Sequence, residues 1–138
     1  MSPESRRVAG AVLIILPSVM IGGASILSLL VGNPHYIMNP IRQDLWRAGH
    51  AHAGVLLLLT LMALRYVDEA SLSGRLKWFV RLSLPSAAII MAVGFFFSVM
   101  KPHPAEPSSI ICLTYAGGVL LAAGVVVLGI GLIKAPSA

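Results

Sequence analysis

The sequence predicts an all-α integral membrane protein, a bundle of four transmembrane helices that associates into an oligomer. Three observations carry this. Hydrophobic residues make up 57% of the 138 positions and charged residues 11%. A soluble domain carries about a quarter charged residues, so this chain cannot cover a water-facing surface. Four apolar runs approach or exceed the roughly 20 residues that a helix needs to cross a bilayer. The Lys and Arg residues stand at the ends of those runs, as membrane anchors do. The net charge of +5 therefore reads as contact with the lipid bilayer, and no nucleic-acid partner is expected.

The first span covers about residues 8–31, where Pro17 and Gly22-Gly23 are expected to kink or thin the helix. Arg6-Arg7 precede it, but its apolar stretch exceeds the 7–15 residues of a signal-peptide core, so it is expected to be retained. The second span covers about 48–64. The third covers about 82–100, with Pro85 in its first turn, where a missing N–H costs little. The fourth covers about 109–133. The runs lack the alternation of a membrane barrel. The connection RYVDEASLSGRLKWFVR, residues 65–81, is expected to hold a short interfacial helix with Trp78 and Phe79 at headgroup level. With no linker, low-complexity tract or internal repeat, residues 1–138 form a single transmembrane domain.

Orientation follows from the basic residues. Arg6, Arg7, Arg65, Arg75, Lys77, Arg81 and Lys134 lie on one side; Arg42, Arg47 and Lys101 lie on the other. Seven against three places both termini in the cytoplasm of a multi-pass cell-membrane protein. The fourth span carries Gly117, Gly118, Ala122, Ala123, Gly124, Gly129 and Gly131. Small residues let helices approach closely in lipid, which favours a homo-oligomer. The single cysteine, Cys112, excludes an internal disulfide and a CxxC site, and is expected to be a small buried hydrophobe.

The unusual stretch is WRAGHAHAG, residues 46–54, at the mouth of the second span. Under this topology His35, His50, His52 and His103 share one membrane side, together with Asp44, Glu106 and Cys112. Helical residues advance about 100° each, so His50 and His52 point about 200° apart and cannot chelate one metal from one helix. One ring is expected to face a cofactor or a partner subunit, the other a loop, headgroup or neighbouring helix. Ala48, Gly49, Ala51, Ala53 and Gly54 leave room beside both, which suits a flat macrocycle and equally a close helix contact. A neutral imidazole is a good axial ligand for haem iron. A non-haem metal needs more ligands, and only His35 and His103, both in Pro-containing segments, are on hand to join.

Three stretches together resemble the styrene oxide isomerases, small four-helix membrane proteins that bind haem b. They are LVGNPHYI (30–37), WRAGHAHAG (46–54) and AVGFFFS (92–98). The family's axial histidine precedes a small residue and a glycine, a frame that His52 fits before Ala53-Gly54. The resemblance thus implies a trimer with haem b between subunits and His52 as the iron ligand. His50, Arg47, Gly54, Phe95 and Phe96 complete the implied cofactor-binding set. It further implies Lewis-acid chemistry, in which ferric haem converts a small lipophilic epoxide to an aldehyde. Phe95, Phe96 and Phe97 are candidate pocket walls, although three consecutive residues cover most of a helix circumference and also suit core or lipid contact. The chain departs from the family in its third span. Where the family carries an Asp, an Asn and a Tyr near the substrate, this sequence offers Ala88, Ala92 and one of Phe95–Phe97. Two rival expectations stand beside the isomerase: a non-enzymatic haem protein (sensor, electron carrier or haem store), and a structural or accessory membrane subunit.

Overall fold

The structure is a computed structural model and describes residues 1–101 and 104–136. It is all-helical, and four helices are long and apolar enough to cross a membrane. In chain order the elements are α1 (Pro3–Gly32), the short α2 (Pro34–Ile37), α3 (Pro40–Tyr66), α4 (Gly74–Phe97), a 3₁₀ turn (Ser109–Ile111) and α5 (Cys112–Ile133).

The first three helices start from the same local chemistry. Ser2, Asn33 and Asn39 each accept a hydrogen bond from a backbone amide of the first turn, and Pro3, Pro34 and Pro40 follow as the first helical residue. Such a cap satisfies an orphan N–H, and proline there has no N–H to leave unpaired. Ser73 caps α4 in the same way. Because these caps lie outside the apolar runs, α1, α3 and α4 begin well before the spans that hydropathy marks out.

Two expectations fail at the start of α4. No separate interfacial helix occupies 65–81; α3 runs to Tyr66 and α4 begins at Gly74, so Trp78 and Phe79 belong to a long helix. Pro85 consequently lies in the interior of α4. It leaves the Arg81 carbonyl without its intrahelical partner, a defect that membrane helices tolerate. Cys112 is exposed, not buried, because it opens α5 before that helix packs on its neighbour.

The helices pack in an open order. α4 lies between α3 and α5, α1 packs on α3, and α1 and α5 do not meet. One apolar cluster joins Ala63 and Val67 with Val80, Leu84 and Leu128. A second joins Val12 of α1 with Leu56, Leu57, Ala88 and Met91. Close approach of α4 and α5 depends on glycine: a Cβ at Gly94 would strike Thr114, at Gly117 Met91, and at Gly124 Ser83 and Leu84. Gly118 and Gly129, on another side of α5, have nothing within 4 Å of such a Cβ.

A polar clasp ties the start of α1 to the α3–α4 turn. The Arg81 guanidinium, on a residue 5% exposed, pairs with Asp68 at 2.7 Å and donates to the Ser5 hydroxyl at 2.9 Å and the Ser2 hydroxyl at 3.1 Å. Asp68 also accepts from the Ser2 amide at 2.6 Å and the Ser5 hydroxyl at 3.1 Å. Burial raises the Asp68 pKa, but the Ser2 amide, Arg81 and the two hydroxyls outweigh it and hold the carboxyl at about 2, below its ordinary 3.8. Trp78 lies over the guanidinium, 5.4 Å from ring centroid to Cζ. Arg81 is thus a buried structural cation rather than a headgroup anchor.

Candidate functional site: two histidine faces of one helix

WRAGHAHAG lies wholly within α3. At the opposite end of the molecule from the clasp, this part of α3 meets the end of α4 and the segment that follows it. Trp46 donates from Nε1 to the Phe96 carbonyl at 3.1 Å. Its ring lies 5.9 Å from Phe96 and 5.6 Å from Tyr36. Arg42 stands 5.7 Å from the Trp46 ring and donates to the carbonyls of Val99 and Lys101. Asn39 reaches the Pro104 carbonyl. Tyr36 is buried, its hydroxyl has no partner among the described residues, and burial pushes its phenol pKa up. His103 lies outside the described residues.

The two histidines of α3 take different faces. His52 is exposed. Its Nδ1 lies 2.8 Å from the Ala48 carbonyl one turn back. A carbonyl can only accept, so Nδ1 carries the proton and neutral His52 keeps its lone pair on Nε2. The Phe95 ring of α4 flanks the imidazole at 5.0 Å. Beside it lies a shallow apolar concavity of about 170 Å³ lined by Ala51, His52, Val55 and Leu56.

His50 turns toward α1. A Cβ at Gly23 would fall 2.8 Å from His50 Cε1 and 2.9 Å from Nε2. The absence of a side chain at Gly23 is therefore what admits the ring. The sequence reading treats Gly22-Gly23 as a weak point of the helix; Gly23 serves instead as a seat for His50. Among the described residues the imidazole makes no hydrogen bond. It borders a lobe of about 190 Å³ with Ser18, Val19, Gly22, Ala53, Ala92 and Phe96. A second lobe of about 230 Å³ shares Ser18, Val19, Ala53, Ala92 and Phe96, and extends to Leu57, Ala88 and Ile89. Together they form one apolar cleft between α1, α3 and α4.

The six residues expected around a cofactor are thus divided. His52 and Phe95 share one face. His50, Phe96 and Gly54, which looks toward Val19, share the other. Arg47 is drawn away from both, pairing with Asp44 at 2.9 Å on the exposed side. Phe97 is 53% exposed. Ala88 and Ala92, at positions where the resembled family is polar, are cleft walls. Ser18 and the seating role of Gly23 are missed by sequence reasoning, since each matters only through a neighbour on another helix. Among the described residues no three His, Cys, Asp or Glu side chains form a metal-binding group. No protein-family model, curated protein or solved structure matches the chain.

Proposed function

We propose that this chain is a multi-pass membrane protein that binds haem b through His52 Nε2 and acts as an isomerase of small lipophilic epoxides. The observation that carries the haem reading is the hydrogen bond from His52 Nδ1 to the Ala48 carbonyl. Metal-ligating histidines generally donate their second ring N–H to a carbonyl or carboxylate, which fixes the ring and raises ligand basicity. His52 combines that tautomer with an exposed Nε2, a flanking aromatic ring and an apolar floor of Ala51, Val55 and Leu56. His50, wedged against Gly23, lacks the orienting hydrogen bond among the described residues.

In this reading the chain's own residues bind and orient. Ala48 holds the imidazole, Phe95 flanks it, and Ala51, Val55 and Leu56 offer an apolar surface to a flat cofactor. Bound ferric haem supplies Lewis acidity toward an epoxide oxygen. The isomerase assignment rests on the three motif stretches, while the floor at His52 contributes no acid or base beyond the imidazole itself. That second fact favours a non-enzymatic haem protein as the alternative. Seven basic residues against three support cytoplasmic termini. The open glycines Gly118 and Gly129 support a homo-oligomer, a trimer by resemblance.

Protein purified in detergent and supplemented with ferric haem tests the reading. The expected result is a Soret band that His52→Ala abolishes and His50→Ala retains. Loss in His50→Ala with retention in His52→Ala reverses the assignment, and absence of haem in the wild type removes it. Conversion of styrene oxide to phenylacetaldehyde by the ferric protein supports the isomerase; a haem-loaded protein without turnover leaves the non-enzymatic alternative.

A further inference from the structure

The cleft between α1, α3 and α4 contains one nitrogen base and almost no other polarity. Its walls are Val19, Ala53, Leu57, Ala88, Ala92 and Phe96. Ser18 lines both lobes, but its hydroxyl proton is committed to the Ile15 carbonyl at 2.7 Å, so it can only accept. His50 borders the smaller lobe with no hydrogen bond among the described residues and lies close against Gly23. An imidazole that borders an apolar cavity without a partner has hydrogen-bonding capacity left for a ligand.

We infer that this cleft is a binding site for a one-ring lipophilic molecule bearing a single hydrogen-bonding oxygen, and that His50 is the residue that selects that oxygen. Size sets the first half of the statement. A buried apolar cavity of about 150 Å³ accommodates benzene, so a lobe of about 230 Å³ takes a ring with a short substituent. Haem, a far larger macrocycle, does not fit it. Chemistry sets the second half. The walls offer dispersion contact to any apolar body, and only His50 and the Ser18 oxygen distinguish an oxygenated molecule from a hydrocarbon. Ile15, Ile89 and Phe97 at the margin are 39%, 50% and 53% exposed, so the entrance lies on the apolar flank. A ligand dissolved in lipid reaches it without crossing water. The inference goes beyond the reading above and does not rest on haem. His50 and His52 occupy different faces of α3, so the two sites are separable by mutation.

The test uses full-length haem-free protein in phosphatidylcholine nanodiscs, with empty nanodiscs as the partition control. Equilibrium dialysis compares 2-phenylethanol with ethylbenzene, two molecules of one ring and near-equal size. Saturable binding is expected, with the alcohol about tenfold tighter, the scale of one hydrogen bond. His50→Ala should bring the two affinities together. Ala92→Phe and Ala53→Leu fill the cleft from two helices, and each should abolish binding of both molecules while circular dichroism confirms helix content. His52→Ala should leave binding unchanged although it removes the proposed haem ligand, so this result and the Soret test can fail independently. A preference for the alcohol that survives His50→Ala overturns the role of His50. Binding that survives both filling variants, or none above empty nanodiscs in the wild type, overturns the site.

Discussion

The two ends of the molecule handle polar groups in opposite ways. At the clasp end, Arg81, Asp68, Ser5 and Ser2 satisfy one another across three segments of chain. At the histidine end, the hydroxyls of Tyr36, Ser108 and Thr114 are buried without partners among the described residues. His50 makes no hydrogen bond among the described residues, and His52 keeps a free Nε2. Buried polar groups in native proteins are normally paired. Among the described residues, three unpaired hydroxyls, the His50 ring and one nitrogen of His52 lie near one end without partners. The clasp closes its polar groups on one another; the histidine end, though tied by Trp46 and Arg42, leaves some of its own open.

That contrast is open to direct attack. The largest effect is expected from Asp68→Ala, which strands the Arg81 cation in a buried position. Breaking one partner of a buried pair costs about 3–5 kcal/mol, measurable by denaturant titration in detergent. A loss under about 1 kcal/mol would make the clasp an ornament of the surface. Acid should act on the same group more gently. The folded Asp68 pKa of about 2 lies below the ordinary 3.8. Its contribution is therefore complete above about pH 4 and is lost as pH falls toward 2, for a total of about 2 kcal/mol. Asp68→Asn should flatten that acid dependence.

At the other end the sign should change. Thr114→Val replaces an unpaired buried hydroxyl by a methyl of similar shape, and should be neutral or stabilising by about 1 kcal/mol. A clear destabilisation would reveal a partner for Thr114 and weaken the contrast. The smallest effect belongs to His52→Ala in the haem-free protein. The side chain is exposed, and a change within about 0.5 kcal/mol is expected. A large loss would make His52 a packing residue.

Much of this was legible in the sequence, and the part that was not has a common cause. Hydropathy located the four long helices because each carries an apolar stretch long enough to cross a membrane. It misplaced their starts, since Asn33-Pro34 and Asn39-Pro40 act through capping geometry that no hydropathy window registers. The opposed directions of His50 and His52 follow from helical spacing alone, and the structure places the rings on separate faces. The partner of each ring did not follow. Gly23 lies 27 positions before His50, and Ser5 lies 76 before Arg81. Such pairs depend on which helices become neighbours, and α1 packing on α3 with α4 between α3 and α5 is an outcome of the whole chain. Arg81 illustrates the difficulty. Its composition context is that of an interfacial anchor, and only its contact with Asp68 and Ser5 shows it to be interior.

The clasp also bears on orientation. Every one of its members lies between positions 2 and 81, so it needs nothing from α5 to close. α1 is otherwise the least embedded of the long helices, with 6% of its most apolar stretch buried. With Ser2 and Ser5 joined to Asp68 and Arg81, the start of α1 and the end of α3 are fastened side by side. In a bilayer those two ends would have to face the same compartment, and α1 could not invert by itself. Orientation would then be a property of the pair rather than of one helix.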